Sequence, residues 1–375
     1  MNTKQKLDGI ADIWKSRAGE LSSRRSFIGF DGFIDSIVRP VMEKDENGQN
    51  RYFREMSDLG HYIVSKQGRN SCIEIEELIV KTGGSAQIFA TAIGTLGLRV
   101  DCVGAMGISE IHPVFESMKE ANCTLHSYAD PGYNTALEFD SGKFMMARML
   151  DLNTVKWHQI KEKIGLERLV RMYRDSHLIG VVNWSEIYHS NTIWQGILDD
   201  LAPTVGPDRS KLMFIDLSDC SGRSRDHIRS AMGMIREFAR YCRVAIGMNE
   251  NEARVVYRAL FDADSGPDLT AMGERLYPVL GADELLIHRS DYCTAWDRSG
   301  SCVVHNFYTD TPALSTGAGV NFNAGFCAGM QLGLEMESCL VLGHAVAGFY
   351  VRHGRSPTPD DVIRLLGQWG EFLES

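Results

Sequence analysis

Two carboxylates near the N-terminus are the first residues in this sequence that could do chemistry. Asp31 and Asp35 lie in the run RSFIGFDGFIDSI, among apolar and glycine neighbours. A run rich in Ile and Phe favours a β-strand, and glycines interrupt such a strand where the chain bends. The pattern therefore predicts a strand that delivers two acids to a pocket.

Two glycine segments stand before helix-like runs and are candidates for contact with a ligand. Gly83 and Gly84 end the alternating run EELIV and open the first of these helices. Glycine there permits the close approach of a ligand, or simply a tight turn. Gly317, Ala318 and Gly319 precede the run NFNAGFCAGMQLGL. Their backbone N–H groups would lie at a helix N-terminus, where an anion is stabilised, although a flexible helix entry is the alternative.

A third segment suggests a cation site. The residues GMNENEA follow a strand-like run and include Asn249 and Glu252. Amide and carboxylate oxygens suit a hydrated cation. The alternative is a solvated, exposed helix start that carries Glu in its first turn.

Several other kinds of active site lack their sequence patterns here. The sequence contains no G-x-S-x-G, no H-E-x-x-H and no Walker segment ending in Gly-Lys-Ser/Thr. Its 9 cysteines include no C-x-x-C pair, which argues against a disulfide framework and against a structural zinc site. The histidines form no ligand cluster, and His344, in an apolar run, is predicted to be a core residue.

Charge and hydropathy exclude several classes of partner. The 375 residues include 49 acidic and 39 basic side chains, a formal charge of −10, with no basic stripe for a nucleic acid backbone. The longest apolar run, residues 339–351, is interrupted by His344 and two glycines and is too short to span a membrane. The N-terminus has no apolar stretch typical of a secretory signal, so we expect a cytoplasmic protein.

The rest of the sequence predicts the elements that position these residues. From residue 176, helices alternate with the apolar strands SHLIGVVNW, KLMFIDLSD, RVAIGMN and DELLIHR, which is typical of a parallel sheet covered on both faces. Two hairpins, near 36–56 with an Asn47-Gly48 turn and near 133–149, predict a small sheet that projects from the larger body. We expect one α/β domain over residues 1–375, with a small β lid.

In their order along the chain, these segments resemble the PfkB, or ribokinase-like, family of sugar and nucleoside kinases. The resemblance covers roughly residues 25–355. It implies a three-layer sandwich with a mostly parallel central sheet and a β lid, and the use of ATP and Mg²⁺. It also assigns substrate binding to Asp35, Gly83 and Gly84, an anion hole to Gly317, Ala318 and Gly319, and the position of the catalytic base to Val320. A nucleotide and magnesium site is implied at Asn249 and Glu252, with Glu252 placing the metal. Asp31, from the same run as Asp35, is predicted to bind substrate as well.

Three positions depart from the family pattern. The base position is occupied by Val320, which cannot accept a proton. The Asn usual in the Gly-Gly segment is replaced by Ile88, which leaves the sugar type open, and Ser290–Cys293 lacks the glycine that the family often has beside the adenine. We therefore expect bound nucleotide with slow chemistry, unless Asp31, Asp35 or another acid reaches the substrate hydroxyl.

The resemblance implies an ATP- and magnesium-dependent kinase that phosphorylates a hydroxymethyl group on a sugar or nucleoside. Val320 motivates an alternative, a non-catalytic pseudokinase that binds a sugar or a nucleotide. A Rossmann dehydrogenase is disfavoured, because Gly317-Ala318-Gly319 lies far from the N-terminus and lacks the third glycine.

The hairpins also suggest an assembly. Their alternating faces carry more apolar surface than an isolated lid needs, so a homodimer through these faces is predicted. The alternative is that the faces fold over the protein's own substrate. The residues concerned are Tyr52, Phe53, Leu137, Phe139, Phe144 and Met146.

Overall fold

The architecture rests on two β-sheets of unequal size. The computed structural model describes residues 3–262, 267–314 and 316–373. Within these ranges the strands, in chain order, are β1 (Arg25–Gly29), β2 (Phe33–Lys44), β3 (Asn50–Tyr52), β4 (Ile75–Gly83), β5 (Arg99–Ala105), β6 (Cys123–Ala129), β7 (Gly132–Phe139), β8 (Gly142–Arg148), β9 (Leu178–Val181), β10 (Leu212–Asp216), β11 (Arg243–Asn249), β12 (Glu284–His288), β13 (Tyr292–Asp297) and β14 (Gly300–His305).

The larger sheet has nine strands among the described residues, in the order β14-β13-β12-β11-β10-β9-β1-β5-β6. Neighbours from β12 to β6 pair in parallel, and β13 and β14 are antiparallel at one edge. The four apolar runs read from the sequence form β9 to β12. Strands β9 and β10 are buried along their whole length, as expected in a parallel sheet that is covered on both faces.

Helices cover both faces of the larger sheet. In the described part of the chain they are α1 (Thr3–Arg17), α2 (Met56–Ser65), α3 (Ser85–Thr95), α4 (Trp157–Ile164), α5 (Leu166–Asp175), α6 (Ser190–Gly196), α7 (Ala202–Val205), α8 (Arg225–Phe238), α9 (Glu250–Phe261), α10 (Leu269–Leu280), α11 (Ala318–Gln331), α12 (Met336–His353) and α13 (Pro359–Phe372). Successive strand residues face opposite layers, so Phe27 packs in the core beneath α4–α10 and Ile28 in the core beneath α1, α3 and α11–α13. The predicted three-layer α/β sandwich is confirmed.

The smaller sheet, which we call the lid sheet, consists of β2, β3, β4, β7 and β8. Strand β2 pairs antiparallel with β3 and β4 and parallel with β7, and β7 pairs antiparallel with β8. Asp45 closes the β2–β3 turn by accepting hydrogen bonds from the backbone N–H groups of Asn47 and Gln49. The β2–β3 and β7–β8 pairs lie where the sequence places hairpins, whereas the pairing of β4 with β2 was not foreseen. The division into one domain over residues 1–375 stays a prediction.

Helix α2 covers part of one face of the lid sheet. A small core lies beneath it, formed by Val38, Phe53, Leu59, Leu137 and Phe139. The expectation that the hairpin residues are free apolar surface is therefore wrong for Phe53, Leu137 and Phe139, which are 4%, 7% and 7% exposed. It overlooked α2, which shields them. Phe144 and Met146 remain 54% and 47% exposed.

Helix α12 contains the longest apolar run of the sequence. None of the described helices is long and apolar enough to cross a membrane. His344 is buried in α12, and its Nε2 lies 3.1 Å from the backbone oxygen of Val304. His344 is therefore a core residue, as predicted.

Candidate active site

Asp31 lies two residues beyond β1, at the carboxyl end of the parallel sheet. Its side chain is fully buried, and its two oxygens accept hydrogen bonds of 2.9 Å from the backbone N–H groups of Ser85 and Ala86. The side-chain amide of Asn183, after β9, donates to the same carboxylate. Burial raises the pKa of Asp31 to about 7. Asp31 therefore holds the start of α3 in place from beneath.

Asp35 faces the site from the lid sheet. It lies in β2, is 5% exposed, and accepts a 2.9 Å hydrogen bond from the side-chain amide of Asn134 in β7. Burial raises its pKa, while the charges of Lys81 and Lys143 oppose that rise. A carboxylate placed this way can accept hydrogen bonds from substrate hydroxyls. Its predicted contact with the substrate stays a prediction.

The Gly83-Gly84 segment joins these two acids. A Cβ atom on Gly83 would lie 2.1 Å from Oδ1 of Asp35, and one on Gly84 would lie 2.9 Å from Oδ2 of Asp31. Gly84 also has a φ of 88°, which favours glycine. Both positions thus require glycine because the protein's own carboxylates approach them closely. Neither interpretation from the sequence, the approach of a ligand or a tight turn, included this reason.

Gln87 and Asn183 complete the surroundings of Asp31, and sequence reasoning missed both. Gln87 is fully buried in the first turn of α3 and donates a 2.6 Å hydrogen bond to the backbone oxygen of Asp31. The family's Asn position is Ile88, one residue later. The amide in this turn therefore contacts the protein backbone, and Ile88 adds no polar group to the site.

The segment Gly317–Gly319 forms the start of α11. Gly317 precedes the helix with a φ of 96°, and the side chain of Tyr350 donates a 2.8 Å hydrogen bond to the backbone oxygen of Thr316. The first N–H groups of a helix lack partners within it, so they are available to an anion. Burial and, second, the charge of Asp35 raise the pKa of Tyr350 to about 12. Tyr350 therefore contacts the start of α11, and the charge of Asp35 acts on its hydroxyl.

Val320 is the third residue of α11. It is partly buried and packs against the core beneath α1, α3 and α11–α13. Its side chain offers no proton acceptor at the position where the family resemblance places the base.

Asn249 and Glu252 form a reciprocal cap at the start of α9. The backbone and side-chain N–H groups of Asn249 donate to the Glu252 carboxylate, at 2.9 Å and 2.6 Å. The expectation of an exposed carboxylate is wrong, because Glu252 is only 5% exposed. Burial and the neighbouring charge of Asp216 raise the pKa of Glu252 to about 8. Without a cation nearby, this acid is therefore largely protonated at neutral pH.

Asp216 and Asn323, also missed from the sequence, lie beside this acid. Asp216 ends β10 and accepts 2.8 Å hydrogen bonds from the backbone N–H of Ser218 and the side chain of Asn323. Burial raises its pKa. The sequence contained a signal for both residues. In IDLSD, Asp216 is an acid at the end of an apolar strand, and Asn323 follows Val320 by one helical turn.

These oxygen groups suit a Mg²⁺ ion that is held partly by water and phosphate. Within the described ranges, no three side chains of His, Cys, Asp and Glu come together closely enough to enclose a metal. Mg²⁺ commonly keeps several waters and uses one or two carboxylates plus substrate phosphates. Glu252 and Asp216 supply carboxylates, and the buried Oδ1 of Asn323 has no hydrogen-bond partner among the described residues. The donor set therefore fits the ion.

One chain of hydrogen bonds connects the two halves of the site. The hydroxyls of Ser85 and Ser218 lie 3.3 Å apart. Ser85 donates its backbone N–H to Asp31, and the hydroxyl of Ser218 lies 3.1 Å from Asp216. The carboxyl ends of β1, β9 and β10 thus carry one connected polar edge, which is where open α/β sheets bind ligands.

A cavity of about 480 Å³ adjoins the start of α11. Its lining is largely apolar and aromatic, with His288, Phe307, Tyr308 and Phe322 beside Ala318 and Gly319. Burial lowers the pKa of His288 to about 4, so this imidazole is neutral at physiological pH. Ser290, from the segment that lacks the family's glycine, also lines the cavity. An apolar, aromatic cavity next to a helix N-terminus suits a nucleotide, because the cavity can hold the flat base and the helix N-terminus can bind the phosphates.

Solved structures of ribokinase-like enzymes share this fold. A carbohydrate kinase from Agrobacterium tumefaciens matches with a TM-score of 0.64 and 14% identity, over 92% of this chain and 97% of that chain. A ribokinase from Thermotoga maritima matches with a TM-score of 0.63 and 14% identity, over 92% and 99%. An adenosine kinase from Sinorhizobium meliloti matches with a TM-score of 0.63 and 16% identity, over 92% and 98%. The fold is that of the ribokinase-like sugar and nucleoside kinases.

Sequence comparison then identifies the family. The model of the prokaryotic ketohexokinase family matches residues 5–369. A ketohexokinase from Haloferax volcanii is 28% identical over 353 residues, which are 94% of this chain and 93% of that protein. The chain therefore belongs to the prokaryotic ketohexokinase family, among the carbohydrate kinases that transfer phosphate to an alcohol group. The resemblance to PfkB kinases is confirmed.

Proposed function

We propose that this protein transfers the γ-phosphate of ATP to a hydroxymethyl group of a ketohexose, with the help of Mg²⁺. The name of the Haloferax volcanii relative, ketohexokinase, favours a ketose over a nucleoside. The observation that carries the proposal is the start of α11 at Gly317, held by the hydrogen bond from Tyr350 to Thr316, with the charge of Asp35 acting on the same tyrosine. A phosphate at Gly317–Gly319 would lie in the same site as a hydroxyl bound by Asp35.

The remaining groups have matching roles. The cavity beside Ala318 and Gly319 would take the adenine, and the free N–H groups at the start of α11 would bind the phosphates. Asn249 and Glu252 would hold Mg²⁺ through water, and the bound ion neutralises phosphate charge. Asp31 and the Gly83-Gly84 segment would keep Asp35 and α3 in position around the sugar.

Removal of the proton from the substrate hydroxyl is the step that this site supports least. Val320 cannot accept a proton, and Asp31 is committed to the amides of α3. A general base contributes about 10² to 10⁴-fold to such a reaction, so we expect slow turnover. The packing of Val320 against the core also supports the second candidate, a pseudokinase that binds sugar or nucleotide without transfer.

The two candidates are separated by measuring binding and transfer on the same ligands. We would titrate a panel of ketoses, aldoses and nucleosides by calorimetry, and assay phosphate transfer from ATP to each. Binding of a ketohexose with slow but measurable product formation supports the kinase. Binding of a sugar without product supports the pseudokinase, and binding of nucleosides alone contradicts the ketohexose assignment.

Replacing Glu252 with glutamine is expected to raise the Mg²⁺ concentration for half-maximal transfer by about 10-fold or more. In the native protein the pKa of Glu252 is raised from 4.5 to about 8, so the affinity for Mg²⁺ should increase as pH rises through about 8. Between these pKa values the folded state binds more protons than the unfolded state, so without metal the melting temperature should fall as pH rises. The Gln variant should lose the contribution of Glu252 to both pH dependences.

A nearby acid provides the control for this variant. Glu250, also in the first turn of α9, is paired with Arg254 and Arg289, and Glu250→Gln should leave the Mg²⁺ dependence unchanged. A large drop in melting temperature of Glu252→Gln with an unchanged Mg²⁺ dependence would show that Glu252 only caps α9.

The exposed residues of the lid sheet support the predicted homodimer. Leu137 pairs with Phe144 and Thr135 with Met146, so Phe144 and Met146 extend the apolar face that α2 covers only in part. Ile79 and Met145 instead share the face that carries Asp35, which suits closure over the substrate. The two faces therefore correspond to the two alternatives read from the sequence.

We expect light scattering at micromolar concentration to give the mass of a dimer, and Phe144→Glu with Met146→Glu to give a monomer. Ile13→Glu, at an exposed position of α1, is the control and should leave the mass unchanged. A native protein that is monomeric at this concentration would contradict the dimer.

A further inference from the structure

A second cavity, of about 610 Å³, has no role in the proposal above. It lies between the loops that follow β9 and β10, next to the segment that leaves lid strand β8. Its polar lining includes Ser185, Glu186, Tyr188, Asp219 and His227. We call it the β9–β10 cavity.

The β9–β10 cavity adjoins the candidate active site on two sides. Glu186 follows Asn183, which donates to Asp31, and the charge of Glu186 contributes to the raised pKa of Asp31. On the other side, the charge of Asp219 contributes to the raised pKa of Glu252. The cavity therefore borders the loop of Asn183, which bonds Asp31, and the loop of Ser218, which bonds Asp216.

The lid sheet also reaches this cavity. Met149, which follows directly after β8, contributes to its lining, and Asn153 lies one turn further on. A ligand in the candidate active site would therefore contact the wall of the β9–β10 cavity where the segment after β8 joins the lid sheet to the body.

Arg223 makes one wall of the cavity rigid. Its guanidinium donates hydrogen bonds to the backbone oxygens of Ser185, Ile187 and Tyr188. It also lies over the rings of Trp184 and Tyr188, at 5.2 Å and 5.3 Å from their centroids. The arginine thereby fixes the loop after β9 and has its donors engaged with carbonyl groups. Four of its five N–H groups are engaged in this way, and its charge opposes the rise in the pKa of Glu186.

Two of the polar groups that remain are the carboxylates of Glu186 and Asp219, which accept hydrogen bonds. Burial and the charge of Asp219 raise the pKa of Glu186, and neither acid has an ion-pair partner within 4 Å among the described residues. The Oγ of Ser185 is buried without a hydrogen-bond partner in the described part of the chain. Two carboxylates and an unpaired hydroxyl favour a neutral ligand that is rich in O–H donors and disfavour a phosphate.

We propose that the β9–β10 cavity binds the end of the sugar opposite the phosphorylated hydroxymethyl group, with Glu186 and Ser185 bonding its distal hydroxyls. This inference rests on the proposed function. In this role Glu186 distinguishes sugars by the length of their carbon chain and selects a six-carbon ketose over shorter ketoses. It also supplies the polar contact that Ile88 removes from the Gly-Gly segment.

The test compares a ketohexose with the three-carbon ketose dihydroxyacetone, which has the reacting hydroxymethyl group and no distal hydroxyls. For Glu186→Gln we expect KM and the calorimetric Kd for fructose to rise about 10-fold or more, because a charge-assisted hydrogen bond is lost. The kcat for fructose and the KM for dihydroxyacetone should stay unchanged. Ser185→Ala should shift the fructose KM in the same direction by a smaller factor.

The control is Glu167→Gln, an exposed acid on α5 that should change none of these constants. Folding of each variant is checked by its melting temperature. Unchanged KM and Kd for fructose in both cavity variants would overturn this inference while leaving the kinase proposal intact. Equal losses for fructose and dihydroxyacetone would also overturn it, because they would indicate a general disturbance. A native protein that neither binds nor phosphorylates any sugar would overturn both proposals.

Discussion

Replacing Val320 with aspartate is expected to raise phosphoryl transfer to the bound sugar by about 10²-fold or more, the contribution of a general base. Val320 directly follows the Gly317–Gly319 segment, in the first turn of α11. A carboxylate there is favoured by the free N–H groups of the helix start. The side chain is only partly buried, so the stability change should be modest.

Val320→Asn is the matched control, because asparagine has nearly the same shape as aspartate but accepts no proton at neutral pH. A gain with Asp and none with Asn would identify the carboxylate as the base. An unchanged rate in a folded Asp variant that binds sugar would contradict the kinase mechanism. A destabilised Asp variant without any gain would indicate that Val320 serves the core of a pseudokinase.

Gly83→Ala is expected to lower kcat/KM for the sugar by about 10²-fold, since a displacement of about 1 Å in a positioning group has that order of effect. The added methyl group would lie 2.1 Å from Oδ1 of Asp35, so the carboxylate must move. Its hydrogen bond from Asn134 would then be broken or stretched. The reaction should lose the group proposed to bind the substrate hydroxyl.

Gly60→Ala provides the comparison, because nothing lies within 4 Å of a Cβ atom at that position of α2. It should leave kcat/KM unchanged and raise helix stability slightly. Equal activities of the Gly83→Ala variant and the native protein would show that Asp35 does not position the substrate. Steady-state kinetics and melting curves of both variants decide the matter.

The sequence was sufficient for the elements whose burial follows a simple period. The sequence repeats apolar residues at the helical period of 3.6 over Ile228, Ala231, Met232, Ile235 and Phe238, and all five are buried in α8. The four apolar runs are adjacent parallel strands. These patterns are local, because each is set by which face of one element meets the core. The order of the glycine and acid segments then sufficed to suggest the family.

The sequence was insufficient where a side chain's surroundings come from distant segments. Glu252 was expected to be exposed because it lies in a first helical turn, yet it is 5% exposed and interacts electrostatically with Asp216 at the end of β10 and with Cys220 in the loop that follows. Asn183 was passed over because its only distinctive contact, to Asp31, spans 152 positions of the chain. Contacts of this kind have no periodic signal, so single-sequence reasoning does not find them.

Asp35, the carboxylate proposed to bind the sugar, is part of the lid sheet. Asp35 lies in β2, its partner Asn134 in β7, and Gly83 at the end of β4, all strands of the lid sheet. Asp31, by contrast, belongs to the body through α3. Any tilt of the lid sheet would therefore move Asp35, the proposed acceptor of the sugar hydroxyl, with it. The measured affinity for a sugar would then contain the free energy of closing the lid, so a substitution at the hinge can change sugar affinity without touching the sugar.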